Sequence, residues 1–384
     1  MISADERTNQ PTEFLGSGAT SSSGLHRHER PPRLRPLKLL AMAIALAGAA
    51  FTGAAAAIAT FDAGNEAVAS TETAAIAEPA PSATGFDPAF IAEAVVDSVV
   101  TVQVGTENGS RFVATSSGSG VVLDDAGHIA SNDHVVAGAS EVRIVLSDGR
   151  VYPAEIIGSD PLTDLAVVRI SASDLRPIDL GSTVGLDVGA PAVAVGSPLG
   201  LEGGPSLSVG VISALGREVQ TGPGTILYGM LQTDAPITSG SSGGALVDSS
   251  GRLIGITTAV GVSQIGVEGI GFATPVEIVD RVTGEIIATG SVSHGLLGIS
   301  GTTAYEPTDD GGAASVGVSV DSVAADSGAD AAGVTRGDVI TAVDGISVNT
   351  MDELITALRL SSGGDSIVVD LGDGRSFQVV LGTR

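Results

Sequence analysis

Apolar positions follow three patterns along this chain. Residues 39–61 form one uninterrupted, uncharged run. Wound as a helix it would be about 35 Å long, enough to cross a bilayer. From about Phe86 the pattern changes to short Val- and Ile-rich segments at 99–104, 120–123, 142–146, 154–157, 165–170, 192–195 and 253–257. Turn signals such as Asp148-Gly149 and Ser250-Gly251 separate them. Many short strands at this spacing predict an all-β sandwich or barrel. Residues 276–288, with Pro275 at their start, predict a helix. After His294 the pattern is mixed: strands at 316–320 and 339–343, then the capping box Thr350-Met351-Asp352-Glu353. Met351, Leu354, Ile355 and Leu358 follow at helical spacing, and Gly363-Gly364 ends that helix. Residues 367–371 and 376–381 flank Gly372-Asp373-Gly374 as a hairpin.

These patterns divide the chain. Residues 1–38, rich in Ser, Pro and Arg with no apolar period, predict a disordered cytoplasmic tail. Residues 39–61 predict a transmembrane helix and 62–85, with Pro79 and Pro81, a flexible linker. A β-rich unit spans 86–290 and a small α+β unit 294–384. Arg30, Arg33, Arg35 and Lys38 precede the apolar run, and Asp62 and Glu66 follow it. Basic residues stay on the cytoplasmic side, so the expected topology is single-pass in the cell membrane, with both folded units extracytoplasmic. The rival for 39–61 is a secretory signal peptide cut near Ala57-Ile58-Ala59.

Composition narrows the chemistry. The chain has no Cys and no Trp, so there are no disulfides, no thiol nucleophile and no thiolate metal site. The net charge is −26. Six of the 18 basic and four of the 44 acidic groups lie in residues 1–38, which leaves −28 on the remainder. Such a body repels nucleic acid. With five His and scattered acids, no metal site is visible, and no cofactor is expected.

Ser242 lies in Gly240-Ser241-Ser242-Gly243-Gly244, with His134 and Asp164 upstream. A serine hydroxyl becomes a useful nucleophile when a neutral imidazole takes its proton, and a carboxylate fixes the imidazole tautomer. Gly-x-Ser-x-Gly alone also describes the nucleophile elbow of esterases, in which acid and histidine follow the serine. Only His294 follows Ser242, so the order His, Asp, Ser fits better. The decoys are His128 and Asp160, both read as turn residues, Ser241, and His294, read as structural at the junction of the two units.

The segments Ser131-Asn132-Asp133-His134-Val135, Thr163-Asp164-Leu165-Ala166-Val167 and Gly240-Ser241-Ser242-Gly243-Gly244 together resemble the HtrA (Deg) family of trypsin-like serine proteases. Gly196-Ser197-Pro198-Leu199-Gly200 and Ser213-Ala214-Leu215-Gly216-Arg217 match further family segments. The resemblance covers about residues 86–384. It implies a mainly β fold: a two-barrel chymotrypsin-like protease domain followed by a small α+β PDZ domain, here in a membrane-anchored form. It implies Ser242 as nucleophile, His134 as general base, Asp164 as orienting carboxylate, and the N–H groups of Gly240 and Ser242 as oxyanion hole. Ser241 stands where the family commonly has Asn. Leu296-Leu297-Gly298-Ile299 resembles the PDZ loop that captures C-terminal peptides. The implied partners are protein or peptide substrates, C-terminal peptides, a membrane and two further copies in a homotrimer. The implied function is endoproteolysis of misfolded or regulatory envelope proteins, with the PDZ domain regulating it; a protease-silent chaperone or scaffold is the rival. Pro236, six residues before Ser242, and Ile237 replace the acid of a Lys/Arg-selective pocket and point to small aliphatic P1 residues. The segments 217–229 and 260–271 are expected to be mobile loops.

Overall fold

The computed structural model describes residues 86–108, 111–197, 204–222, 225–258 and 269–384. The chain enters through helix α1 (Pro88–Val95), whose N-cap Asp87 accepts hydrogen bonds from the Ala89 and Phe90 amides. Pro88 suits the first turn because its missing N–H has no intrahelical partner there.

Six strands follow: β1 (Val99–Asn108), β2 (Arg111–Val122), β3 (His128–Ser131), β4 (Glu141–Val145), β5 (Val151–Asp160) and β6 (Leu165–Arg169), with the one-turn helix α2 (Asp133–Val136) between β3 and β4. They pair antiparallel in the order β1-β2-β3-β6-β5-β4, and β4 returns to β1, closing a barrel. Val100, Val102, Ile129, Ile144 and Val168 fill it.

Strands β7 (Pro191–Gly196), β8 (Ser206–Gly222), β9 (Thr225–Thr233), β10 (Ala245–Val247), β11 (Leu253–Thr258) and β12 (Gly271–Pro275) form a second ring of pairings, β10-β11-β12-β9-β8-β7, with β7 returning to β10. This ring is less regular than the two-barrel expectation, which is corrected accordingly. The β8–β9 ladder slips at four places. β9 and β12 are joined through three residue pairs. One slip, between Ala214 and Arg217, contains Gly216 at φ 66°. That conformation suits glycine and lets a bulge bend the strand.

Helix α2 is followed in chain order by α3 (Val276–Thr289), which starts after Pro275 and stops at Gly290, where φ is 81° and the amide donates to the Ile286 carbonyl. Its buried face, Val276, Ile278, Val279, Val282 and Ile286, joins the core shared with Val121, Leu165, Val193 and Ile256. Each such side chain contributes roughly 1.5–3 kcal/mol on burial.

The last unit contains β13 (Gly295–Leu296), β14 (Ile299–Pro307), β15 (Ala313–Val323), α4 (Gly328–Ala332), β16 (Val339–Val343), β17 (Ile346–Ser347), α5 (Met351–Leu358), β18 (Ser366–Leu371), β19 (Ser376–Val380) and β20 (Gly382–Thr383). Its main sheet runs β14-β15-β16-β18-β19, with β14 at an edge. Val318, Ile340, Leu354, Ile367 and Val379 form its core.

Among the described residues no helix is long and apolar enough to cross a membrane. The longest, α3, has 14 residues, so it spans about 21 Å and carries Glu277, Asp280, Arg281 and Glu285 opposite its buried face. The expected fold class is corrected to a mainly β fold with a small α+β unit and no membrane-crossing helix among the described residues, and the membrane partner expected from such a helix is withdrawn with it. The expected span 39–61, the tail 1–38 and the linker 62–85 lie outside the described residues. The segment 217–229 is also corrected: its described residues 217–222 and 225–229 belong to the paired strands β8 and β9. Most of 260–271 lies outside the described residues.

Candidate active site

Asp164 closes the turn between β5 and β6 with φ 56°, a conformation disfavoured for a residue with a side chain. Several donors hold it there. Asn132 Nδ2 donates to the Asp164 carbonyl at 2.8 Å. The His134 amide donates to Oδ1 at 3.1 Å, and Thr258 Oγ1 donates to Oδ2 at 3.1 Å. Asn132 precedes α2 and caps it with no side-chain bond; its amide serves the Asp164 turn instead. Asn132 Oδ1 is buried without a hydrogen-bond partner.

His134, in the first turn of α2, places Nδ1 at 2.9 and 2.8 Å from the two carboxylate oxygens of Asp164. A ring that donates from Nδ1 keeps Nε2 as its acceptor. The Asp164 side chain is 10% exposed and that of His134 36%, so the carboxylate lies inside and the imidazole reaches the surface.

Ser242 lies in the tight turn before β10 and is 5% exposed. Its carbonyl accepts from the Ser119 amide at 2.7 Å, which ties the serine turn to β2 of the first sheet. Gly118, next along β2, sits between the two halves of the site. A Cβ there would lie 2.8 Å from both Cγ atoms of Val135 and 3.2 Å from the Ser242 carbonyl oxygen. Ser119 Oγ donates to the Gly240 carbonyl at 2.7 Å and accepts from the Ser197 amide at 2.8 Å. Gly240 and Gly243 have φ of 92° and 86°. Thr257 Oγ1 donates to the Ser241 carbonyl at 2.7 Å, and the Ser241 hydroxyl lies 3.5 Å from Thr238 Oγ1.

The decoys separate cleanly. His128 begins strand β3 instead of sitting in a turn, with Nδ1 2.6 Å from Asp124. Burial raises the Asp124 carboxyl pKa, and the hydrogen bonds from His128 outweigh it, leaving the group below its ordinary value. Asp160 ends β5 and is buried against His294, with Oδ2 2.9 Å from Nε2. Thr258, Asn132 and Ser119 are site residues that sequence reasoning missed. Their polar side chains on apolar strand faces or beside the motif are the only sequence signal.

Of the peptide-groove residues, Leu296 pairs through β13 with Gly382, and Leu297 is buried in the core of the last unit. Gly298 adopts φ 84°, and its carbonyl accepts from the Ala324 amide at 2.8 Å. Ile299 opens the edge strand β14. These residues and α5 enclose a groove cavity of about 140 Å³, with Met351, Ile355 and Leu358 opposite and Arg359 and Arg384 at one end. Among the described residues no group of His, Asp and Glu is placed to hold a metal ion.

This fold is that of a trypsin-like serine peptidase joined to a PDZ domain. Residues 118–256 match the trypsin-like peptidase domain family and residues 319–371 the PDZ domain family. The chain is 36% identical over 379 residues to serine protease PepD of Mycobacterium tuberculosis, covering 91% of this chain and 78% of that protein. It is 36% identical over 285 residues to periplasmic serine endoprotease DegP of Escherichia coli K12, covering 73% and 59%. Among solved structures it is similar to the HtrA-type protease AlgW with a decapeptide, at 32% identity and TM-score 0.58, over 77% of this chain and 98% of that one. It is likewise similar to the serine endoprotease of Yersinia pestis, at 31% identity and TM-score 0.53, over 77% and 97%. The chain belongs to the HtrA family of serine endopeptidases. The expected single-pass localisation and membrane-anchored form are withdrawn: a relative, DegP, carries a periplasmic name, and no described helix crosses a membrane.

Proposed function

We propose that this endopeptidase cleaves through Ser242, His134 and Asp164, and that 86–290 is the protease domain and 294–384 the PDZ domain. The observation that carries the reading is the His134–Asp164 pair, bonded through both carboxylate oxygens, beside a serine turn tied to β2. Nε2 of His134 takes the Ser242 proton as Oγ attacks the scissile carbonyl, and Asp164 stabilises the resulting imidazolium. The amides of Gly240 and Ser242 receive the developing oxyanion, and one such donor is worth about 10²–10³ in rate. The imidazolium then protonates the leaving amine, and a water repeats the sequence to release the acyl group. Ile237 is packed against Gly271, where a Cβ would lie 2.6 Å from its Cδ1. That apolar wall favours small aliphatic P1 residues over Lys or Arg. The substrates are misfolded or regulatory proteins.

At the PDZ groove the ligand is a peptide with a free C-terminal carboxylate, added as a strand to the edge of β14. AlgW is known with a tripeptide and with a decapeptide, which supports this assignment. Such a peptide regulates cleavage. The decisive experiment is labelling with a fluorophosphonate, followed by mapping of the modified residue. Labelling of Ser242 in the parent protein, lost in His134→Ala, is the expected result. Labelling of another serine overturns the assignment of the nucleophile, and no labelling overturns the triad and leaves a peptide-binding scaffold. For the pocket, peptides with Ala or Val at P1 should be cleaved faster than the Lys counterpart; the reverse order refutes it.

A further inference from the structure

Asp160 and His294 take no part in the chemistry above, yet they are 5% and 3% exposed and bonded to each other across 134 residues of sequence. Asp160 is the hub. Its Oδ2 accepts from His294 Nε2 at 2.9 Å and from Thr163 Oγ1 at 2.6 Å, and its Oδ1 accepts from the Leu162 amide at 3.2 Å. The Asp160 carboxylate thus holds the turn residues Leu162 and Thr163, which lead directly into Asp164. On the other side of the pair, His294 Nδ1 faces Arg281 Nη2 at 3.3 Å. Arginine only donates, so Nδ1 accepts and the ring proton sits on Nε2, directed at Asp160. The His294 carbonyl accepts from the Arg384 amide at 3.0 Å, and two residues later Leu296 lines the PDZ groove.

A second path joins the same places. Arg359, which caps α5, lines the groove on one side, and on the other it lines a small cavity with Leu162 and Thr163. Its carbonyl accepts from Arg281 Nε at 2.7 Å. The residues immediately before Asp164 are thus linked toward the groove by two routes, the Asp160–His294 bond and the cavity shared with Arg359.

We propose that His294 is a positioning residue for the acid of the triad: through Asp160 it fixes the turn that holds Asp164 and couples that turn to the first strand of the peptide groove. This rests on the reading of Asp164 as the carboxylate that orients His134. Without the imidazole, the Asp160 carboxylate stays buried beside Arg281 and Arg359 and turns toward them, drawing residues 161–164 with it. Asn132, the His134 amide and Thr258 still hold Asp164 from its own side, but the loss of a fixed Asp160 loosens the turn that leads into its left-handed φ, and the carboxylate shifts against His134.

The test uses the full-length protein and a fluorogenic peptide. In His294→Ala, kcat should fall about 10–100-fold, the scale of a displacement near 1 Å, while KM stays within about twofold. His294→Gln keeps an N–H donor at this end and should recover most of kcat. Hydrogen exchange at the amides of residues 162–165 should rise in the Ala variant and return in the Gln variant, at a temperature where both retain their melting transitions. Unchanged kcat and exchange in His294→Ala overturn the proposal, as does a loss that Gln fails to rescue, which would mark a packing role. Failure of Ser242 labelling in the parent protein would instead remove the triad reading beneath it.

Discussion

Gly118→Ala places one methyl group between the base and the nucleophile. Gly118 lies in β2 with ordinary strand geometry, so the backbone accepts alanine without strain. The obstacle is spatial. The new Cβ would lie 2.8 Å from both Val135 Cγ atoms. A relaxed carbon–carbon contact needs about 3.5–4.0 Å, so roughly 0.7 Å must be found. Rotating Val135 gives no relief, because both of its methyl groups face the intruder and a β-branched side chain has few alternatives. The Ser242 carbonyl, at 3.2 Å, blocks retreat to the other side. The displacement therefore passes to the backbone of α2, where His134 immediately precedes Val135.

Overpacking of this kind costs about 1–3 kcal/mol of stability. The effect on turnover should be larger in relative terms, since a shift approaching 1 Å in a catalytic group costs about 10²-fold. Steady-state kinetics on a fluorogenic peptide, paired with thermal melting, separate the two effects. The expected outcome is a cooperative melt a few degrees lower and kcat reduced about 10–100-fold with little change in KM. A variant with kcat within twofold of the parent would refute the claim that α2 and the serine turn are wedged apart by this one glycine position.

Three further outcomes follow from the same geometry. Thr258→Val keeps the shape but removes the hydroxyl that donates to Asp164 Oδ2; a bond to a charged group is worth about 1.5–3 kcal/mol, so kcat/KM should fall about 10–100-fold, and a change under twofold contradicts it. Asp160 and Glu277 are held below their ordinary values of 3.8 and 4.5: burial raises both, and hydrogen bonds from His294 and Thr163 for Asp160, and from Thr183 and Ser182 for Glu277, outweigh it. Depressed carboxylates contribute stability that is fully present above the unfolded-state values and lost as pH falls through the folded ones, so the melting temperature should drop below about pH 4, and Glu277→Gln should flatten that slope. Glu353→Ala removes the bonds to the Asn349 amide and side chain at 2.6 and 3.2 Å; urea denaturation should show the PDZ domain weakened by about 0.5–1 kcal/mol.

Local pattern carried much of the architecture. The helix expected over 276–288 is Val276–Thr289, because an apolar stripe behind Pro275 and a glycine stop leave few alternatives. Thr350 is the N-cap of α5 as its capping box predicts, but Glu353 reaches back one residue further, to Asn349. Turn chemistry was less legible. Gly222-Pro223-Gly224 reads as a mobile segment, yet the flanking residues continue β8 and β9 as paired strands. His128 follows Asp-Asp-Ala-Gly and reads as a turn residue, while its ring is fixed to Asp124 at the head of a strand. The motifs nominate His134, Asp164 and Ser242 because their order is specific. The groups that support them are ordinary Ser, Thr and Asn whose partners lie far along the chain: Ser119 on Gly240 is 121 residues distant, and Thr258 on Asp164 is 94. No local period records such a bond. The same holds for Asp160 and His294, each of which looks bland until the fold brings them together.

The seam between the two sheets explains why a chain without disulfides, and with few large side chains near the site, can still hold a precise constellation. The seam residues are small. A Cβ at Gly243 would lie 2.1 Å from the Ser119 carbonyl oxygen, and one at Gly196 would lie 3.1 Å from Ser119 Oγ. Only bare backbone lets the serine turn come so close to β2, and that closeness makes Ser119 a four-way junction. Its amide holds the Ser242 carbonyl, its carbonyl accepts from Ser131 Oγ, and its hydroxyl links the Ser197 amide to the Gly240 carbonyl. Ser131 and Asn132 lead directly into α2 and His134, while Gly240 and Ser242 flank the expected oxyanion hole. One serine, through its backbone and its hydroxyl together, thus ties the segment leading to the base to the turn that carries the nucleophile. Bonds of this kind are individually worth about 0.5–1.5 kcal/mol, too little to be selected for stability alone, but they are directional, and direction is what a preorganised site requires.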